Sequence, residues 1–131
     1  MNYTIKHVCA ELSMTVHAVR YYCDRGLVPN LRHDAHGNRL FDEESINWLR
    51  AVGFLRASGM SIAQIKHYFE LCQQGAATLQ ERQTILAELK QKAEAELAAA
   101  QIRVHCLDEK VQSLQESIEG KLPDDCNPMN W

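Results

Sequence analysis

A chain of 131 residues, 46% hydrophobic and 24% charged, has room for one compact domain or for a small domain with an appendage. No apolar run approaches the roughly 20 residues of a membrane span, and Met1 to Lys6 carries no basic-then-apolar export signal. The expected compartment is therefore the cytoplasm. The odd set of cysteines (Cys9, Cys23, Cys72, Cys106, Cys126) holds no Cys-x-x-Cys, which argues against a disulfide framework and a zinc ribbon. The net charge of −3 is unevenly spread. Residues 1–41 hold five Lys/Arg (Lys6, Arg20, Arg25, Arg32, Arg39) against three acids (Glu11, Asp24, Asp34). A polyanion is thus better met by the N-terminal end than by the acidic remainder.

Helix punctuation organises the chain. Thr4 is an N-cap for a helix over Ile5–Leu12, with Ile5, Val8, Cys9 and Leu12 on one face. Thr15 caps a second helix from Val16 to about Arg25, with Val16 and Val19 inward, Gly26 at its C-terminal stop and Pro29 beyond. Two short helices around a tight turn form a helix-turn-helix pattern. Residues 30–41, with turn formers Asn30, Asp34, Gly37 and Asn38, read as a two-stranded wing turning near His36-Gly37.

Asp42 caps a third helix whose first turn carries Glu43 and Glu44; it runs to Ser58 and stops at Gly59. Ser61-Ile62-Ala63-Gln64 is a capping box for a fourth helix, which ends at Gly75. Thr78-Leu79-Gln80-Glu81 has the form of a second capping box, opening a helix with no breaker before Gly120. Some 40 residues at 1.5 Å each span roughly 60 Å. From Leu86 the apolar positions Leu89, Ala93, Leu97, Ala100, Val104, Leu107, Val111, Leu114 and Ile118 follow at steps of three and four, a coiled-coil seam with one stutter. The chain has no second long helix to cover that seam, and an isolated helix depends on packing its apolar stripe. A second copy of the chain is the economical partner. The expected division is a head over residues 1–75, a dimerisation helix over 76–120 and an irregular tail over 121–131.

The fold class expected is all-α with a small β wing. On the second helix, His17, Arg20 and Tyr21 fall toward the outer face, and a recognition helix needs such side chains to reach base edges and phosphates. Arg32 and Arg39 flank the wing turn, placed to hold phosphate. No Gly-rich phosphate loop, metal-ligating His pair or nucleophile elbow is present, so no catalytic residue, metal site or cofactor is assigned.

Three motifs carry a resemblance. Arg20-Tyr21-Tyr22-x-x-x-Gly26-Leu27-Val28-Pro29, Gly37-Asn38-Arg39-Leu40-Phe41-Asp42 and Ser58-Gly59-Met60-Ser61-Ile62-Ala63-Gln64-Ile65 occur in order with compatible spacing. Together they resemble the signature, wing and turn motifs of the mercury-resistance-regulator (MerR) family of bacterial transcription regulators. The resemblance implies a winged helix-turn-helix, an antiparallel coiled-coil homodimer, a near-palindromic promoter operator in double-stranded DNA and action with RNA polymerase. Activation would follow an effector signal through DNA bending and undertwisting, which is recognition by deformation. It assigns DNA contact to Thr4, Thr15, His17, Arg20, Tyr21, Tyr22, Arg32, Asn38 and Arg39. Two positions depart from the family pattern: Cys23 replaces a usual Glu, and Asn38 stands where Tyr is common.

The effector stays open. Soft-metal relatives place a cysteine at the start of the long helix, where this chain has Ala76-Ala77-Thr78. The chain is similar to the aldehyde- and thiol-stress branch over Thr78–Leu86, but Phe54 occupies the position of that branch's third-helix cysteine. A thiol-reactive effector would then meet Cys23, near Arg20 and Arg25, or Cys126 on the tail. A small organic effector would sit between the fourth helix and the start of the partner's long helix, lined by Phe54, Tyr68, Phe69 and Cys72, with Met129 and Trp131 over it. A simple repressor, or an architectural DNA-bending protein without an effector, are the alternatives.

Overall fold

The computed structural model describes residues Met1–Trp131. The elements in chain order are α1 (Ile5–Leu12), α2 (Val16–Asp24), β1 (Arg32–His33), β2 (Arg39–Leu40), α3 (Glu43–Ala57), α4 (Ile62–Gln73), a 3₁₀ turn (Gly75–Thr78), α5 (Leu79–Ile118) and a short 3₁₀ turn (Pro128–Asn130). Two compact units divide at Leu89/Lys90.

In the first unit the caps fall where the side chains predict. Thr4 accepts from the His7 amide at 3.2 Å and Thr15 from the Ala18 amide at 3.0 Å. Asp42 with Ser45, and Ser61 with Gln64, form complete capping boxes. Strands β1 and β2 pair antiparallel with Arg32 opposite Leu40 and His33 opposite Arg39. The turn between them is tied by Asp34, whose carboxylate accepts from the amides of His36 (2.9 Å) and Asn38 (2.8 Å) and from the Asn38 side chain (3.2 Å). Those bonds, the Asn38 amide first, hold the Asp34 carboxyl below its usual range. Gly37 takes φ +80°, a conformation that costs a side-chain-bearing residue free energy. Tyr3 adds a bridge to Phe41 beyond β2, so the N-terminal segment borders the wing.

Two apolar clusters build the core. Val8, Val19, Val28, Phe41, Ile46 and Leu49 join α1, α2, the wing and the first half of α3. Leu27, Val52, Leu55, Met60, Ile65 and Phe69 join the second half of α3 to α4. Tyr22 packs against both. Gly53 sits inside α3 facing the end of the Met14 side chain, 3.1 Å from where a Cβ would stand. Val16, expected inward, is 37% exposed: at the first helical position after Thr15 it precedes the turn that Val19 packs into the core.

The start of α5 departs from expectation in two respects. Thr78 caps nothing; its hydroxyl is buried and donates to the Leu71 carbonyl at 2.6 Å, with Gly75 O at 3.0 Å, and accepts from Arg82 Nε at 3.0 Å. The 3₁₀ turn runs directly into α5, so the box pattern has no free amide to serve. The compact unit also extends past residue 75, because Ile85, Leu86 and Leu89 pack against the second cluster. Leu86 and Leu89, counted as the first seam positions, are therefore partly covered by their own head.

The second unit is the remainder of α5 and the tail. Leu97, Val104, Leu107, Val111 and Ile118 are 57–78% exposed, and Leu114 is 44% exposed. Ala93 is exposed and Ala100 half-buried. Apart from the 3₁₀ turn the tail is irregular, and its own hydrogen bonds hold it: Ser117 donates to Pro123 O, Asn130 to Asp124 O and the Trp131 indole to Asp125 O. No helix is long and apolar enough to cross a membrane.

Candidate nucleic-acid interface

Helix α2 and the wing share one face with the N-terminal segment. Between them lies a cleft of about 360 Å³ bordered by Asn2, Tyr3, Thr4, Arg20, Asn38 and Arg39. Thr4, Arg20, Asn38 and Arg39, separated by up to 35 positions in the sequence, thus meet at one place. The N-termini of α1 and α2 carry no carboxylate in their first turns, and each capping hydroxyl keeps a proton to donate. Helix N-termini of this kind favour an anion. His17, Arg20 and Tyr21 are exposed on α2. The Arg25 guanidinium lies 5.2 Å over the Tyr21 ring, which restrains that ring at the helix surface.

Other members of the expected set are differently placed. Tyr22 is half-buried between the two core clusters, with its ring edge-on to Tyr21 at 5.9 Å. Its ring supports the recognition helix from behind. Arg32 is 60% exposed at the side chain, donates to Asn2 at 3.0 Å and lies 3.8 Å from Asp42. Arg39 is 26% exposed at the side chain, and its Nη2 donates to Asp24 at 2.6 Å. Asn38 is exposed, held by Asp34.

Asn2, Tyr3 and Asp24 were not legible as part of this face. A one-residue bridge such as Tyr3–Phe41 has no periodicity. The Tyr3 hydroxyl donates to Glu43 at 2.6 Å, and its ring stacks on His7 with centroids 4.5 Å apart. The Glu43 carboxylate raises the Tyr3 pKa by accepting that hydrogen bond. Asp24 was counted only in the charge balance, because its partner lies 15 positions away.

The residues expected around an effector are distributed over α3, α4 and the C-terminal tail. Phe69 is in the core, 3% exposed, against Trp48 at 4.7 Å between ring centroids. Phe54 is 64% exposed, pointing away from the core that Val52 and Leu55 fill from the same helix. Tyr68 packs on the second cluster, Cys72 is half-buried, and Trp131 belongs to the other compact unit. Burial raises the Cys23 thiol to about 11, outweighing the lowering by Arg39, so the positive surroundings expected to activate it do not prevail. No three His, Cys, Asp or Glu side chains gather as metal ligands do.

Residues 3–72 match the model of the MerR HTH family regulatory protein. An HTH-type transcriptional regulator of Haemophilus influenzae is 26% identical over 89% of this chain and 87% of its own length. The HTH-type transcriptional regulator AdhR of Bacillus subtilis is 33% identical over 67% of this chain and 63% of its own length. Two crystal structures share the fold. One is a MerR family transcriptional regulator from Bacillus thuringiensis, at TM-score 0.70 and 26% identity over 86% of this chain and 98% of that one. The other is HiNmlR, a MerR family regulator lacking the sensor domain and bound to promoter DNA, at TM-score 0.74 and 26% identity over 91% of this chain and 94% of that one. With the helix-turn-helix, the wing and the long helix all in place, this chain belongs to the MerR family of HTH transcriptional regulators.

Proposed function

We propose that the protein acts as a homodimer on an operator within a promoter, reading it with two winged helix-turn-helix heads and altering its shape. The observation that carries this reading is the convergence of Thr4, Arg20, Asn38 and Arg39 on one cleft between recognition helix and wing. Helix α2 enters the major groove with His17, Arg20 and Tyr21; the N-termini of α1 and α2 meet phosphates through Thr4 and Thr15; the wing adds Arg32 and Asn38. Tyr22 stiffens the helix from behind. The similarity to HiNmlR, which is bound to promoter DNA, supports the assignment.

Dimerisation uses the stripe Ala93, Leu97, Ala100, Val104, Leu107, Val111, Leu114 and Ile118, whose larger members remain exposed in a single chain. Two heads on antiparallel rods contact separated half-sites, and the deformation needed to seat both is the means of regulating RNA polymerase at that promoter. The domain roles follow: the head over residues 1–75, with the first turns of α5 packed onto it, reads DNA, and the rod pairs the copies. An effector would bias the equilibrium between DNA shapes.

The test is selection of duplexes from a randomised pool by the full chain, followed by circular-permutation bending assays on the winner. A near-palindromic site bent on binding is expected. Recovery of no preferred sequence would refute the reading.

A further inference from the structure

Asp24 is the last residue of α2, an unfavourable place for a carboxylate in two respects. It adds negative charge at the negative end of the helix dipole, where the neighbouring cation, Arg25 at the C-cap, lies over the Tyr21 ring. It also places an acid, 66% exposed at the side chain, on the helix that faces a polyanion. Its one recorded side-chain partner is Arg39 on β2, at 2.6 Å. Arg39 is correspondingly withdrawn: its side chain is 26% exposed, and its Nε is buried without a hydrogen-bond partner. Arg32, paired with Leu40 across the β-ladder, is 60% exposed; it donates to Asn2 at 3.0 Å, and its nearest carboxylate, Asp42, lies at 3.8 Å against 2.6 Å for the Asp24–Arg39 pair.

We infer that Asp24 and Arg39 form a brace fixing the wing against the recognition helix, so that Arg39 is a positioning residue while Arg32 is the wing cation that meets phosphate. The inference rests on the DNA-binding reading and divides labour between two arginines that the sequence presents as equivalent. A cation already held by a carboxylate releases few DNA counterions on binding. A more exposed and more loosely paired one, such as Arg32, contributes a salt dependence of about 0.9 per phosphate, or about 1.8 for a dimer.

The experiment measures affinity of the full chain for its selected duplex as a function of salt, for the unmutated protein, Asp24→Asn, Arg39→Gln, their double variant and Arg32→Gln. Thermal melts run in parallel. Asp24→Asn and Arg39→Gln are each expected to weaken binding about tenfold with the salt slope unchanged. The double variant should be no worse than either single change, because both remove one interaction. Arg32→Gln should lower the slope by about 1.8. Melting points within a few degrees of the unmutated chain are expected for both brace variants, since a half-exposed ion pair adds little to stability. A slope loss in Arg39→Gln, unchanged or tighter binding in Asp24→Asn, or additive losses in the double variant would each overturn the brace. So would a collapse in melting point matching the affinity loss. If the unmutated chain selects no duplex, the DNA-binding reading fails and the brace with it, whereas a slope loss confined to Arg39→Gln removes the brace alone.

Discussion

Arg20 and Cys23 stand three positions apart on α2 and illustrate what one helical turn separates. Arg20 is exposed and borders the cleft. Arg20→Ala is expected to weaken operator binding by about 10- to 100-fold, the range for losing a well-placed arginine contact. An electrophoretic titration checks this, and unchanged affinity would remove Arg20 from the interface. Cys23 lies on the core side, where desolvation raises its pKa to about 11. At pH 7–8 the thiol stays protonated and slow to alkylate. Mass spectrometry after brief iodoacetamide treatment should find exposed Cys106 labelled well before Cys23. Reactivity at Cys23 should rise only as pH approaches 11. The sign for stability follows: a folded-state pKa above the unfolded value favours folding below about pH 9 and loses that contribution as pH climbs through 11. Early labelling of Cys23 near neutrality would contradict this placement.

The starts of α1 to α4 were legible because each rests on a side chain nearby in sequence: Thr4, Thr15, Asp42 and Ser61 each cap the amide three residues ahead. The start of α5 was not, because Thr78 satisfies the same local pattern while its actual partner, the Leu71 carbonyl, belongs to the preceding helix. The same limit hid the Asp24–Arg39 pair and the bridge from Tyr3 to Phe41. Leu86 and Leu89 fit a heptad seam as well as they fit the head, and the packing of the second cluster decides how much of each is covered. Thr78→Val keeps the shape but removes the hydroxyl that links Leu71, Gly75 and Arg82. It is expected to destabilise the head by about 1–3 kcal/mol, the cost of leaving buried groups unsatisfied. Chemical denaturation followed by circular dichroism measures it; a change below a few tenths of a kcal/mol would mean that the turn does not depend on this hydroxyl.

For the molecule as a whole, the proposed function assigns recognition and pairing to different stretches of one chain. The cleft lies in the unit of residues 1–89, and the open apolar stripe lies in the unit of residues 90–131. Exposed leucine and valine at seam spacing are costly in water, at about 25 cal/mol per Å² of apolar surface, and pairing would remove that cost. Leu107→Glu puts a charge in the stripe, and sedimentation should then report a particle near the 14.9 kDa chain mass at micromolar concentration. A particle of twice that mass would place the pairing surface elsewhere. Promoter affinity should fall in the same variant, since each head would then bind alone.

The central claim is that two copies joined along their rods engage one promoter duplex. Sedimentation equilibrium of the unmutated chain, alone and with the duplex it selects, tests it directly. The account predicts a particle of two chains that binds one duplex as a unit; a single 14.9 kDa chain that sediments independently of the DNA would contradict it.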